Sequence, residues 1–258
     1  MLNSGTVVWE FSVKCLIVWA HPEEQSFNGA LVEAARRALE AQGHEVRVTD
    51  LYRSGFNAVA SVIDFNAREN PGRLVYDAEQ AAAAARGDLA PDIQAALDDV
   101  IWCDLLILQF PLWWFSVPAI MKGWIDRVMV KGIAYGGGRW YDRGGFAGRR
   151  ALLSITTAAY PQMCGPEGIN GSIDVILWPL QQGILRFVGF EALSPNIIWS
   201  ATYVDDAERR TAMEHYVERL RRVATEIPEA AHGRSEFGKD WRLLPEVSPR
   251  TVAHWRGQ

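Results

Sequence analysis

Residues 14–51 read KCLIVWAHPEEQSFNGALVEAARRALEAQGHEVRVTDL, and the change of period along them decides the fold. KCLIVWA (14–20) is an apolar run of the kind a strand shows when both faces of its sheet are covered. SFNGALVEAARRALEAQG (26–43) then sets Leu31, Ala34, Ala35, Ala38 and Leu39 at helical spacing, with Gly43 as the stop. EVRVTDL (45–51) alternates apolar and polar residues and reads as a second strand. A strand, a helix and a strand in that order predict a parallel pair joined by a crossover.

The same alternation continues outward. PDIQAALDDVIWC (91–103) is helical and delivers the chain into DLLILQF, a third strand; AIMKGWIDRVMV (119–130) is again helical. RRALLSITTAA (149–159) is a fourth strand, WPLQQGILRFVG (178–189) a helix and NIIWS (196–200) a fifth strand. DDAERRTAMEHYVERLRRVAT (205–225) closes the set as an amphipathic helix, and AEQAAAAARG (78–87) is a connecting helix. The expected class is α/β: a doubly wound, five-stranded parallel sheet with helices on both faces, in one domain over 1–228. The segment 229–258, rich in charge, Pro and Trp, reads as a C-terminal extension.

With 258 residues the chain can bury about three quarters of its unfolded surface. A net charge of −5 argues against a general nucleic-acid or anionic-membrane surface. Three cysteines, Cys15, Cys103 and Cys164, have no C-x-x-C spacing, which disfavours a disulfide framework and a zinc site and suits a reducing cytoplasm. The start, MLNSGTVVWEFSVK, lacks the pattern of a signal peptide, and the most apolar stretch, 105–121, is broken by Gln109, Pro111 and Pro118, so no membrane insertion is expected.

Open sheets of this kind bind ligands beyond the carboxyl ends of their strands. Three segments sit there. In AHPEEQSFN, His21 and Ser26 stand at a strand-to-helix turn, where free amides attract an anion; the alternative is an ordinary N-cap and a hydrogen-bonded turn histidine. No G-x-G-x-x-G and no G-x-x-x-x-G-K-[ST] is present. TTAA (156–159) ends a strand with two hydroxyls and two small residues, which lets a planar group approach, or is a plain strand end. QFPLWWFSVP (109–118) carries no charge; it can wall a flat ligand with Trp114 and Phe115 or pack against the following helix. Cys164 has no neighbouring cation to activate it and reads as inert.

Several of these pieces, in this order, resemble the NAD(P)H:quinone oxidoreductase (DT-diaphorase) family of the flavodoxin-like fold. They are H-x4-SFN (21–28), LxPDI (89–93), QFPLxWFSVPAIMKGWIDRV (109–128), LSITT (153–157) and GINGxxxVILWPLQQGILRFVGF (168–190). The resemblance implies FAD, in preference to FMN, as cofactor and NAD(P)H as electron donor. His21, Ser26, Phe27 and Asn28 would hold the pyrophosphate and adenylate side; Pro111, Leu112, Trp113, Trp114 and Phe115 would line the isoalloxazine. Thr156 and Thr157 would meet the flavin edge, and Arg209 the adenine end. Tyr135, Met163, Cys164 and Phe187 would wall a substrate pocket that the family builds between two subunits, with Asn170, Trp114 and Phe115 in catalytic positions.

The resemblance further implies a homodimer, with the extension 229–258 packing at its interface, and hydride transfer by a ping-pong route to a quinone-like acceptor. Alternatives within it are reduction of azo or nitroaromatic compounds and service as a flavin-bearing regulatory subunit of an ion-efflux system. This chain departs from the family at several points: Cys164 and Asn170 stand where many relatives carry Tyr and His. Ala158 and Ala159 replace a pair of glycines, and Gly137 replaces the second Tyr of A-Y-x-Y.

Overall fold

The structure, a computed structural model, describes residues 12–250. The expectations for the opening segment and for residues 251–258 of the extension therefore lie outside the described residues.

Strands β1 (Lys14–Trp19), β2 (Glu45–Asp50), β3 (Leu105–Pro111) and β4 (Arg150–Thr156) pair in parallel in the order β2-β1-β3-β4. Burial follows position in the sheet. All seven residues of the central β3 are buried, whereas none in the edge strand β2 is, which is why 14–20 reads as unbroken apolar sequence and 45–51 as alternation. The far edge was expected as one strand but consists of two short pieces, β5 (Glu191–Ala192) and β6 (Asn196–Ile198), both paired with β4. Pro195 between them has no amide for the ladder.

Successive side chains of each strand point to opposite faces, and this divides the core in two. Cys15, Ile17, Trp19, Leu105 and Ile107 pack with Leu31, Val32 and Leu39 of α1 (Phe27–Glu40) and Tyr216 and Leu220 of α6 (Asp206–Leu220). Leu16, Val18, Leu106, Leu108 and Phe110 face the other way. They meet α3 (Pro91–Trp102), α4 (Ala119–Val128) and α5 (Ile173–Leu180), with Ala83 of α2 (Tyr76–Arg86) in the same cluster. Helix α5 starts earlier than its periodicity suggests, at the Ser172 N-cap, and widens into a π-helical turn over Gln181–Arg186. Pro179 removes one amide from its ladder just before the change of winding.

Residues 229–250 run past this π-turn and the turn at 140–142. Arg186 donates to the carbonyl of Glu229 (2.9 Å), the Arg234 amide donates to Asp142 (3.0 Å), and Trp241 meets Trp140 at 5.7 Å between ring centroids.

Two buried thiols, Cys15 in β1 and Cys103 at the end of α3, carry a pH dependence. Burial pushes Cys15 and Cys103 from 9.0 up to about 12 each. In the unfolded chain they lose their protons first, so unfolding releases protons and stability falls as pH rises from 9 towards 12. Urea midpoints measured between pH 8 and 11 should decline more steeply for the wild type than for Cys15→Ala/Cys103→Ala; parallel declines would reject the assignment.

Candidate active site

The winding reverses between β1 and β3, so the loops leaving β1, β3 and β4 come out side by side at the carboxyl edge of the sheet. In the first loop, the His21 ring Nδ1 accepts from the Glu23 amide at 3.1 Å, and Ser26 caps α1 by accepting from the Gly29 amide at 3.2 Å. The amides of Phe27 and Asn28, in the first turn of α1, have no acceptor among the described residues and make that end of the helix electropositive. The ordinary-cap reading of Ser26 is thus correct for its side chain, and two unspent amides remain beside it.

The loop after β3 has an unusual backbone. Leu112 donates its amide to the Thr156 carbonyl (2.8 Å), and Trp113 and Ser116 exchange backbone bonds at 3.1 and 3.0 Å. Between them Trp114 and Phe115 are both left-handed, at φ 51° and 60°. A bulky residue avoids that region by roughly 1–2 kcal/mol, so two in succession mark strain held by the surrounding structure. Their amides also have no acceptor among the described residues. Their rings face solvent, Trp114 at 95% and Phe115 at 52% exposure, while Trp113 tilts against His21 at 6.2 Å. Packing against the next helix does not account for these rings.

Beneath this loop lies a buried polar chain. Gln109 donates from Nε2 to Asn28 Oδ1 and Asn28 donates from Nδ2 to Thr156 Oγ1, each at 2.9 Å. It joins β3, α1 and β4, and with them all three loops. Thr157 continues the edge: its amide donates to the Ile198 carbonyl (3.0 Å) and its hydroxyl accepts from the Ala159 amide (3.1 Å). Gln109 was not singled out from sequence, although a glutamine inside LLILQFP is a signal, because a buried amide needs a partner.

The remaining candidates fall into separate groups. Cys164 is buried, Met163 and Asn170 are half-buried, and Asn170 donates its backbone amide to the Met163 carbonyl (2.9 Å) and its side chain to the Cys164 sulfur (3.6 Å). Arg209 reaches Asp206 (2.8 Å) and the Ala201 carbonyl (3.3 Å) at the start of α6. Tyr135 and Phe187 pack ring to ring at 5.5 Å and line a cavity of about 540 Å³ beside α2 and α4, with Tyr76, Met129 and Ile184. Burial pushes the Tyr135 phenol up, so it is neutral.

A flat, hydrogen-bonding ring fits the 112–116 loop on what the chain itself presents: two adjacent unspent amides, exposed ring walls and a buried polar chain behind. An anionic linker fits the unspent amides of α1 next to it.

The fold and the placement of this site define a flavodoxin-like protein, and the profile of the flavodoxin-like fold matches residues 13–223. The NAD(P)H dehydrogenase (quinone) 1 of Rattus norvegicus is 43% identical over 216 residues, 83% of this chain and 79% of that one. The ribosyldihydronicotinamide dehydrogenase (quinone) of Homo sapiens is 40% identical over 227 residues, 88% of this chain and 98% of that one. A crystal structure from Klebsiella pneumoniae, provisionally named a quinone reductase, superposes with a TM-score of 0.88 at 38% identity, covering 93% and 97% of the two chains. The chain belongs to the NAD(P)H:quinone oxidoreductase family of flavodoxin-like oxidoreductases. No helix of the described residues is long and apolar enough to cross a membrane.

Proposed function

We propose that the protein is a cytoplasmic, homodimeric, FAD-dependent oxidoreductase that takes two electrons from NAD(P)H and passes them to a quinone-like acceptor at the same face. The observation that carries this reading is the left-handed Trp114–Phe115 pair, whose amides have no acceptor among the described residues and whose rings are exposed. When bound, the flavin supplies the hydride chemistry; the protein supplies binding, orientation and electrostatics.

The proposed roles join this geometry to those the resemblance implies. Phe27 and Asn28 amides hold the pyrophosphate, with His21 and Ser26 shaping the loop, and Arg209 takes the adenine end. Pro111, Leu112, Trp113, Trp114 and Phe115 cradle the ring, and Thr156 and Thr157 meet its edge. Asn170 can turn its amide from the weak Cys164 sulfur acceptor at 3.6 Å to charge developing nearby. Tyr135 and Phe187 of one subunit wall the pocket of the other. Val59, Val62, Ile63, Leu74 and Val75, exposed in the single chain between β2 and α2, favour a second copy as their cover. The unit 1–228 is the catalytic domain, and 229–258 adds to the interface. Three free, buried thiols suit a reducing compartment.

The test is the visible spectrum of purified protein, the mass of the heat-released cofactor, and anaerobic addition of NADH and NADPH followed by a quinone and an azo dye. FAD that bleaches with either donor and is reoxidised by the quinone is expected, with a dimer by sedimentation. A colourless protein that cannot be reconstituted overturns the reading, whereas bound flavin that neither donor bleaches leaves the regulatory one.

Two substitutions separate the roles. Trp114→Ala removes a ring that is 95% exposed, so the unfolding midpoint should stay put while kcat/KM for the quinone falls about tenfold. Asn170→Ala should slow flavin reduction in stopped flow by about tenfold with FAD retained; an unchanged rate removes Asn170 from the mechanism.

A further inference from the structure

We propose that Gln109 is a positioning residue for the cofactor. From inside the sheet it sets the direction of the hydrogen-bond chain Gln109 to Asn28 to Thr156, which leaves the Thr156 hydroxyl to donate its proton to the bound flavin. The inference rests on the flavin reading above.

Gln109 sits in β3 with Trp19 and Ser154 as its register neighbours and is 1% exposed. Its Oε1 is buried with no hydrogen-bond partner, so the residue does not satisfy itself in this position. An unpaired buried carbonyl is costly, and the return must lie in what Nε2 does. That atom donates to Asn28 Oδ1, which fixes Asn28 with its own Nδ2 turned to Thr156 Oγ1.

A hydroxyl that accepts from Asn28 still holds a proton of its own, and the Thr156 proton has no acceptor among the described residues. Thr156 ends β4, and its carbonyl accepts from the Leu112 amide at the start of the cradle loop, so that hydroxyl stands at the strand end beside the loop. Turning Asn28 over would set Nδ2 against Gln109 Nε2, donor against donor. The reversed arrangement, in which Thr156 would spend its proton inward on Asn28, therefore requires Gln109 to turn over as well and to bury its Nε2 where Oε1 now has no partner, and an orphaned N–H is less tolerated than an orphaned carbonyl.

The experiment uses the flavin-loaded wild type, Gln109→Met, Thr156→Val and the double variant, each followed for FAD release on dilution by the recovery of flavin fluorescence, with urea unfolding in parallel. Each single substitution should weaken FAD binding about tenfold, and the double variant about tenfold as well, because both remove the same donated proton. A hundredfold loss in the double variant, or a Gln109→Met protein with a lowered urea midpoint and unchanged FAD release, overturns the role. Should Gln109→Met fail to fold, Asn28→Asp keeps the shape but accepts from both sides and draws the Thr156 proton inward; it should show the tenfold loss, and unchanged release overturns the role equally. A wild type that holds no flavin would sink the flavin reading and this inference together. Additive variants would sink only the inference.

Discussion

Arg127→Met should lower the unfolding free energy by about 3–5 kcal/mol and the melting temperature by roughly 10 °C. Arg127 is 2% exposed and its guanidinium holds Asp64, itself 0% exposed, at 3.2 and 2.9 Å. It also donates to Asp92 (2.6 Å) and to the Asn57 carbonyl (2.8 Å) and lies over the Phe56 ring at 5.1 Å. Burial alone would pull the Arg127 pKa down, but the bonds to the two aspartates outweigh it and hold it above its ordinary value. Tyr76 adds a 2.5 Å bond to Asp64, and burial pushes that phenol up, so it stays a donor.

A methionine would leave the Asp64 carboxylate in the interior without its cation, and Tyr76 and the Ser61 amide cannot neutralise it. Asp92, partly exposed, can turn to water. Pairing Arg127→Met with Asp64→Asn should recover much of the loss, because the amide still accepts from Tyr76 and carries no charge. Thermal melts of the two singles and the double decide this. A double variant no better than the singles would mean the cost comes from packing rather than from the stranded charge. Since α4 follows the cradle loop directly, the singles should also hold FAD less firmly near their melting range.

Gly29→Ala is expected to weaken FAD binding about a hundredfold and to destabilise the fold by about 1–3 kcal/mol. On helix propensity the sign would be opposite, since alanine normally gains about 1 kcal/mol over glycine inside a helix. Here an added Cβ would stand 2.1 Å from the Glu24 carbonyl oxygen and 3.6 Å from the Trp19 ring. Backbone cannot yield as a flexible side chain does, so the 21–26 loop must move. That loop carries His21 and the Ser26 cap, and its shift turns the Phe27 and Asn28 amides away from the anion they are proposed to bind. FAD release on dilution and urea unfolding measure the two effects separately. A stabilised variant with normal FAD release would show that the loop is softer than its contacts indicate.

Much of this protein was legible before any coordinates. Five of the six helices and the four long strands lie where their periods put them, because burial on one face or two writes itself directly into local spacing. Other features were not. The π-turn at 181–186 and the divided edge at 191–198 depend on where Pro179 and Pro195 fall within already assembled neighbours, so one helix began early and one strand became two.

By itself, then, the sequence determined the order of elements, the two apolar faces of the sheet and which three strand ends come out side by side, since each is set by patterns a few residues long. Only the tertiary structure decided that Trp114 and Phe115 turn left-handed with free amides, and that Gln109, Asn28 and Thr156 form one chain. Those partners stand 81 and 128 residues apart, and no local window carries a hydrogen bond whose two ends are brought together only when the sheet closes.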